Sequence, residues 1–371
     1  MARYLITGGA GFIGRYLCAE LLADGHDLRV LDSFVEQVHG DASGGQGPDL
    51  PDEVELLRGD LRDPALVARA LADVDGVFHL AAEVGVGQSM YEIARYVGGN
   101  DLATAVLLEQ LARSPVQRLV VASSMSVYGE GLYEGRDGAR FANIRRGAGS
   151  RAGNWDPTGP DGETLTARPT DETKPVDLAS IYALTKYVQE RSCLIIGEAY
   201  GVQTVALRLF NVFGPGQALS NPYTGVLANF GSRLLNGEPP LIFEDGRQMR
   251  DFVHVRDVAK AFALAMHAGR VAGQVINIGS GGAYAIAEVA RLMAAAIGRP
   301  ELTPRILHKA RAGDIRHCFA DIGRARELLG FHPAHRLEDC AEEIADWLAG
   351  SQAVDGGEAA RSQLEARGLV A

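Results

Sequence analysis

"RYLITGGAGFIG", residues Arg3 to Gly14, decides how the rest of the chain is read. Its first part, Arg3-Tyr4-Leu5-Ile6-Thr7, is an apolar and β-branched run of strand length, and from Phe12 onward Leu17, Leu21 and Leu22 recur at helical spacing. Between them stand Gly8, Gly11 and Gly14. In a strand-loop-helix unit the first glycine permits a tight turn, the second lets a pyrophosphate approach the backbone, and the third lets the helix pack on the strand. Phe12 and Ile13 then open a helix whose N-terminal amides would meet phosphate oxygens.

Working outward, Leu28-Arg29-Val30-Leu31-Asp32 reads as a second strand that ends in an acid, with Ser33 beside it. A carboxylate at that distance from a glycine loop grips a ribose 2′-hydroxyl and repels a 2′-phosphate, which predicts NAD in preference to NADP. Further strand-like runs follow at Val54 to Arg58, Gly76 to Leu80 and Arg118 to Ala122, separated by helix-like intervals at Pro64 to Ala72 and Asn100 to Arg113. Repeated β-α alternation predicts an α/β fold with a doubly wound parallel sheet. Ligands of such sheets lie at the carboxyl ends of the strands, where Gly8, Asp32, Asp60, Ala81 and Ser124 fall. His79, inside an apolar run, is read as a satisfied core or turn histidine.

Composition narrows the function classes. The 371 residues are 47% hydrophobic and 22% charged, enough for two lobes with cores of their own. A formal net charge of -11 works against broad nucleic-acid binding. No apolar run approaches the ~20 residues that span a bilayer, and no basic stretch leads into an apolar run at the start, so a cytoplasmic protein with no membrane partner is expected. Cys18, Cys193, Cys318 and Cys340 show neither metal-ligand nor disulfide spacing; free thiols and no metal are expected.

"SIYALTKY", Ser180 to Tyr187, places Tyr182 and Lys186 four apart on one helix face. A tyrosine is a poor base at neutral pH, and a nearby lysine would favour its phenolate. Together with the glycine loop and the serines Ser123 and Ser124 at a strand tip, the pair points to acid/base chemistry on a hydroxyl.

With these residues assembled, the chain resembles the extended short-chain dehydrogenase/reductase family of sugar-nucleotide epimerases and dehydratases. The resemblance spans nearly all of residues 1 to 349: Thr7 to Gly14, Asp60-Leu61, His79-Leu80-Ala81-Ala82, Ser123-Ser124, Tyr182 and Lys186, Leu207 to Pro215, and Arg250 to Val255. It implies a Rossmann-type domain that binds NAD and a smaller α/β substrate-binding domain. By position it makes Ser124 the partner of the reacting hydroxyl, Tyr182 the acid/base, and Lys186 the residue that binds the nicotinamide ribose and tunes Tyr182. Asp60 and Leu61 would face the adenine, Leu80, Ala81 and Ala82 would line the cofactor, and Asn100 would support the catalytic helix or a water. Asn211, Arg250 and Arg311 match positions that hold the sugar-linked diphosphate. Tyr223, Val226, Leu241 and Phe243 lie where relatives sandwich a pyrimidine base, and Ser126 would reach the sugar. Homodimers through helices such as Asn100 to Arg113 and Tyr182 to Tyr200 are implied by the same analogy.

Two departures refine the expectation. Family dehydratases carry an Asp/Glu pair directly after the Ser124 position, and decarboxylases a glutamate nearby; here the residues are Met125 and Ser126, which cannot supply a general acid of carboxyl pKa. Oxidation and re-reduction at C4 remains, hence a 4-epimerase. A dehydratase, a decarboxylase and an epimerase of UDP-hexoses stay as alternatives, and a non-catalytic dinucleotide-binding protein would be expected to lose some of Ser124, Tyr182 and Lys186. The second departure is the long connection of residues 129–175, rich in glycine and arginine, which is read as a possible lid. With "GPGQALSNPYTGV", "IFEDGRQMRDFV" and "AGDIRHCFAD", it resembles most the dTDP-L-rhamnose 4-epimerases, which make dTDP-6-deoxy-L-talose. Some of those carry cysteines where this sequence has Thr158-Gly159-Pro160-Asp161-Gly162. Domains are expected at 1–206, with 251–280 partly returning to it, and at 207–349; residues 350–371 read as a frayed tail or one short helix.

Overall fold

The computed structural model describes residues 1–39, 50–144, 153–217, 225–311, 313–350 and 357–370. Seven strands, β1 (Arg3–Thr7), β2 (Asp27–Asp32), β3 (Glu55–Arg58), β4 (Gly76–His79), β5 (Arg118–Ser124), β6 (Gln203–Leu209) and β7 (Val275–Ile278), form one sheet in the order β7-β6-β5-β4-β1-β2-β3. Every pairing in it is parallel. Because successive side chains alternate between faces, Ile6, Val30, Phe78 and Val120 join one core while Leu5, Leu31, Val77, Leu119 and Val121 join another. The first core is covered by helices Phe12–Ala23 and Val255–His267, the second by Ala103–Arg113 and Ile181–Tyr200. The doubly wound α/β architecture is thus the one the alternation predicts.

Register sets out the site. Thr7 pairs with both Leu31 and His79, so the chain leaves β1, β2 and β4 at one level, and β1 lies between β2 and β4, where the strand order reverses. Ligands of open α/β sheets bind at such a crevice. β5 extends beyond this level, its Ser124 pairing with Leu209 at the tip of β6. Gly8 turns the chain with φ +70°, and a Cβ there would lie 2.8 Å from the Ala81 Cα. At Gly14 a Cβ would stand 2.5 Å from Gly9, so the helix can pack against the loop only as glycine.

The second lobe is built around Phe213, Phe230, Leu234, Phe252, Met293 and Ile344, on helices Val226–Leu235, Ile286–Ala296 and Ala341–Gly350 and short strand pairs. Its strand Asn211–Phe213 follows β6 after one residue, and its strand Phe252–His254 leads directly into the helix Val255–His267 of the first lobe. β6 runs to Leu209, three residues past the boundary expected at 206, and β7 returns to the main sheet.

In the 129–175 connection, Leu132–Glu134 pairs antiparallel with Arg140–Phe141 and with Thr166–Arg168, a small sheet of its own. Thr158 pairs with Thr164 in a tight turn at the position where cysteines were at issue. The connection is pinned to the second lobe by Arg316, fully buried, which donates to Asp156, Glu244 and Asp245. Among its described residues none lines the central cavity. The tail holds one short helix, Gly357–Ala366, the second of the two forms expected for it, and its Leu364 and Leu369 reach the cavity wall. Arg145, Arg146 and Arg151 of the connection lie outside the described residues.

All four cysteines are buried and free. Among the described residues, no helix is long and apolar enough to cross a membrane.

Candidate active site

A cavity of about 640 Å³ runs from the glycine loop past the tip of β5 and into the second lobe. Gly8, Gly11, Phe12, Ile13 and Gly14 line one end, with Leu80 and Ala82; Ser124, Ser126, Tyr182 and Lys186 line its centre; Asn211, Val226, Leu241, Phe243, Arg250 and Arg311 line the other end. Gly8 and Arg311, 303 positions apart in sequence, therefore share one wall only because the two lobes meet there.

The centre is rigidly built. Ser180 caps the catalytic helix Ile181–Tyr200 by accepting from the Ala183 N–H, and the Tyr182 N–H donates to Ser89 Oγ at 3.0 Å. The Ser124 hydroxyl stands beside the Tyr182 side chain and acts to lower its pKa. Ser126 Oγ lies 2.9 Å from Ser124 Oγ, and the Ser126 N–H also points to it at 3.2 Å. Glu190, further along the same helix, accepts from Ser123 Oγ at 2.6 Å and from Arg208 Nε and Nη2 at 2.9 and 2.7 Å. Arg208 sits on β6 with its guanidinium 4.6 Å from the Tyr128 ring centre. One buried ion pair thus clamps helix, β5 and β6 together directly behind Ser124.

Electrostatics separate the two titrating groups. Burial raises the Tyr182 pKa above its ordinary value, and Ser124 pulls the other way. Burial pushes the Lys186 amine down to about 8, with nearby Cys193 and Glu190 opposing. Lys186 Nζ donates to Gln189 Oε1 at 2.8 Å. Ser124 is the neighbour that lowers the Tyr182 pKa, and Lys186 lines the same cavity. Gln189, which the sequence reading missed, also donates to Thr104 Oγ1 and to the Ala81 carbonyl. Its place three residues after Lys186 was the available signal.

Other predicted positions divide. Asp32 is buried and accepts from the Ala10 and Phe34 N–H groups at 3.1 and 2.9 Å, so it braces the glycine loop. Ser33 is exposed and off the cavity wall. Asp60 is engaged by Arg62, whose guanidinium pulls its pKa down, and Leu61 is buried in the core; neither lines the cavity. Ala81 packs behind Gly8 and against the core. Asn100 is fully buried, accepting from the Glu83 N–H at 2.6 Å and donating to Thr185 Oγ1 of the catalytic helix at 2.9 Å. His79 is bound by Thr7 and Thr104, and burial depresses its pKa to about 3, a neutral core histidine. Tyr223 lies outside the described residues. Arg250 reaches the wall while donating to the carbonyls of Met249, Ile315 and Arg316, and Arg311 stacks on Phe243 at 4.5 Å.

Three carboxylates line the cavity, and each is committed to an arginine: Glu83 to Arg95 at 2.7 Å, Glu244 to Arg316 at 3.0 Å, Asp314 to Arg311 at 2.8 Å. Away from the cavity, His254, Cys340 and Glu343 have ligand atoms within 4.8 Å of one another. His254 Nδ1 accepts from the Arg256 N–H, which puts the proton of the neutral ring on Nε2, facing Glu343 at 3.8 Å. A ring so held offers a donor, not a lone pair, to a metal.

The glycine loop fits a dinucleotide: its left-handed Gly8 and the close Gly14–Gly9 approach leave a backbone cradle at a helix N-terminus on the cavity wall. Residues 4–279 match the NAD dependent epimerase/dehydratase family. The chain belongs to that family. It is an enzyme whose cofactor is NAD. It is similar to the dTDP-L-rhamnose 4-epimerase of Burkholderia thailandensis, 35% identical over 94% of this chain and 95% of the relative. A putative UDP-glucose 4-epimerase of Methanocaldococcus jannaschii is 30% identical over 93% and 97%. Among solved structures, the UDP-glucuronic acid 4-epimerase of Bacillus cereus in complex with UDP-glucuronic acid and NAD superposes with a TM-score of 0.76, at 26% identity over 94% of this chain and 99% of that one.

Proposed function

We propose that the protein is a nucleotide-sugar 4-epimerase that interconverts dTDP-L-rhamnose and dTDP-6-deoxy-L-talose. The carrying observation is that Ser124 and Tyr182 stand together on a wall whose only carboxylates, among the described residues, are tied to arginines. Elimination of water or loss of carbon dioxide needs a free general acid that this wall does not offer; removal and return of a hydroxyl proton needs only Tyr182.

NAD supplies the acceptor and donor of hydride at C4 and is regenerated in each cycle. Gly8, Gly11, Phe12, Ile13 and Gly14 would hold its pyrophosphate, Asp32 its loop and adenosine ribose, and Lys186 its nicotinamide ribose. Tyr182 Oη, as the phenolate, takes the proton from the C4 hydroxyl to become the phenol, and later returns it. Ser124 orients that hydroxyl, and by lowering the Tyr182 pKa it favours the phenolate that starts the cycle. Ser126 extends the same hydroxyl line toward the sugar. Asn211, Arg250 and Arg311 hold the diphosphate; arginine suits the task because its planar fork binds two oxygens at once. Leu241, Val226 and Phe243, with Tyr223, hold the pyrimidine. The dTDP-sugar assignment is supported by the Burkholderia relative together with the stretches "GPGQALSNPYTGV", "IFEDGRQMRDFV" and "AGDIRHCFAD".

The protein is also proposed to act as a homodimer, since Ile93, Val97, Leu102, Leu184 and Ile195 expose large apolar side chains on and beside two neighbouring helices. A monomeric mass by sedimentation would refute this.

The test of the reaction is turnover in heavy water. A C4 oxidation and re-reduction breaks only O–H and C4–H bonds, so dTDP-L-rhamnose should equilibrate with its C4 epimer with no carbon-bound deuterium in either sugar. Deuterium at C3 or C5, or an accumulating 4-keto product, would sink the epimerase reading. If dTDP-L-rhamnose is inert while a UDP-hexose is inverted, the chemistry stands and the sugar is wrong.

A further inference from the structure

The C-terminal residues enter the cavity wall, which no motif anticipates. Helix Gly357–Ala366 ends in a left-handed turn at Gly368, φ +68°, with the Leu369 N–H donating to the Leu364 carbonyl at 2.9 Å and the Gly368 N–H to the Glu365 carbonyl at 3.0 Å. These two bonds are a Schellman termination, in which the residue after the glycine folds back onto the last helical turn. Here the two residues so brought together, Leu364 and Leu369, both line the cavity.

The segment is fastened to both lobes. On the first, the Tyr91 hydroxyl donates to Gln363 Oε1 at 2.9 Å and the Arg367 guanidinium lies 4.2 Å from the Tyr91 ring centre. Tyr91 follows Met90, itself in the cavity wall. On the second, Lys309 Nζ donates to Glu365 Oε1 at 3.2 Å, and Val370 pairs antiparallel with Arg311. Exposed ion pairs and single ring contacts are individually weak, so the fastening can release and re-form as a ligand passes. None of these anchors belongs to the glycine loop.

We propose that residues 357–370 form a strap that retains the nucleotide sugar, with Leu364 and Leu369 as substrate-positioning residues; the inference rests on the nucleotide-sugar reading of the site. The strap presents apolar side chains to the cavity, so it excludes water from a ligand already held by Arg250 and Arg311. It acts on the substrate and not on NAD.

The test uses full-length Leu364→Ala/Leu369→Ala and, separately, Gly368→Val, which removes the left-handed turn without filling any space. Each should raise KM for the nucleotide sugar at least ~10-fold with kcat within about threefold, the signature of lost uniform binding. NAD content after purification should match wild type. A second readout needs no turnover: dTDP should slow tryptic cleavage after Arg367 in wild type and fail to do so in Gly368→Val. Unchanged KM in both variants of an active enzyme, or no protection by dTDP, overturns the strap. A wild type that turns over no nucleotide sugar yet shows dTDP protection overturns the epimerase reading and leaves the strap standing.

Discussion

Glu190→Gln isolates the ion pair behind Ser124. The Arg208 and Glu190 side chains are 6% and 1% exposed, with the guanidinium donating two hydrogen bonds at 2.9 and 2.7 Å to the carboxylate. Glutamine keeps the volume and can still accept from Ser123 and Arg208, so the substitution opens no cavity; it removes a charge and leaves a buried guanidinium without its counter-ion. Breaking a buried pair in this way costs about 3–5 kcal/mol, a large share of the roughly 5–15 kcal/mol that stabilises a folded domain. Urea midpoints of the NAD-free protein would measure it. Arg256 and Glu343, at 46% and 36% exposure, give an internal comparison: Glu343→Gln should cost no more than about 1 kcal/mol. The double variant Glu190→Gln/Arg208→Met should recover part of the loss, because no charge is left stranded. Since Glu190 also holds Ser123, the folded fraction of Glu190→Gln should show lowered kcat as Ser124 loses its fixed position. The reasoning is refuted if Glu190→Gln costs as little as Glu343→Gln, or if the double variant is as unstable as the sum of its parts.

Tyr182→Phe should lower turnover at least ~100-fold while nucleotide-sugar binding by calorimetry stays near wild type, because it removes the proton acceptor and leaves the Ser124–Ser126 hydrogen bond in place. Lys186 gives a pH test on the NAD-free protein. Its folded pKa of about 8 lies below the ordinary 10.5, so below pH 8 the fold bears the cost of a buried charge, and that cost fades as pH rises toward 10.5. Wild type should therefore gain stability relative to Lys186→Met by about 2 kcal/mol between pH 7.5 and 9.5, at about 1.36 kcal/mol per unit of pH above the folded pKa. A constant gap, or one that moves the other way in paired urea melts, would show that the amine is solvated.

The sheet was legible because both its faces are buried. Alternating residues such as Leu5 and Ile6, or Val120 and Val121, must all be apolar, which leaves continuous runs at regular intervals. The glycine loop was legible for a related reason: a left-handed turn at Gly8 and the contact of Gly14 with Gly9 admit no side chain, so the constraint is written as residue identity. Ser124, Tyr182 and Lys186 could be named from strand-tip position and helical spacing. The partners of these groups could not be read the same way. That Lys186 donates to Gln189, that Glu190 reaches Ser123 and Arg208, and that Asp60 turns to Arg62 depend on side-chain directions fixed by packing. The long connection and the tail show where sequence reading stops. A glycine- and arginine-rich stretch carries no periodic signal, and its place beside the second lobe is decided by buried Arg316 meeting Asp156 from the connection and Glu244 and Asp245 from the second lobe. One short helix was among the forms expected of the tail, but its position was not legible: two leucines five residues apart need only one left-handed glycine to face the same cavity, and where that cavity lies is a property of the two lobes together. Local sequence determined which residues must be small, apolar or reactive; the burial of charges and the meeting of the lobes decided which of them act on one another.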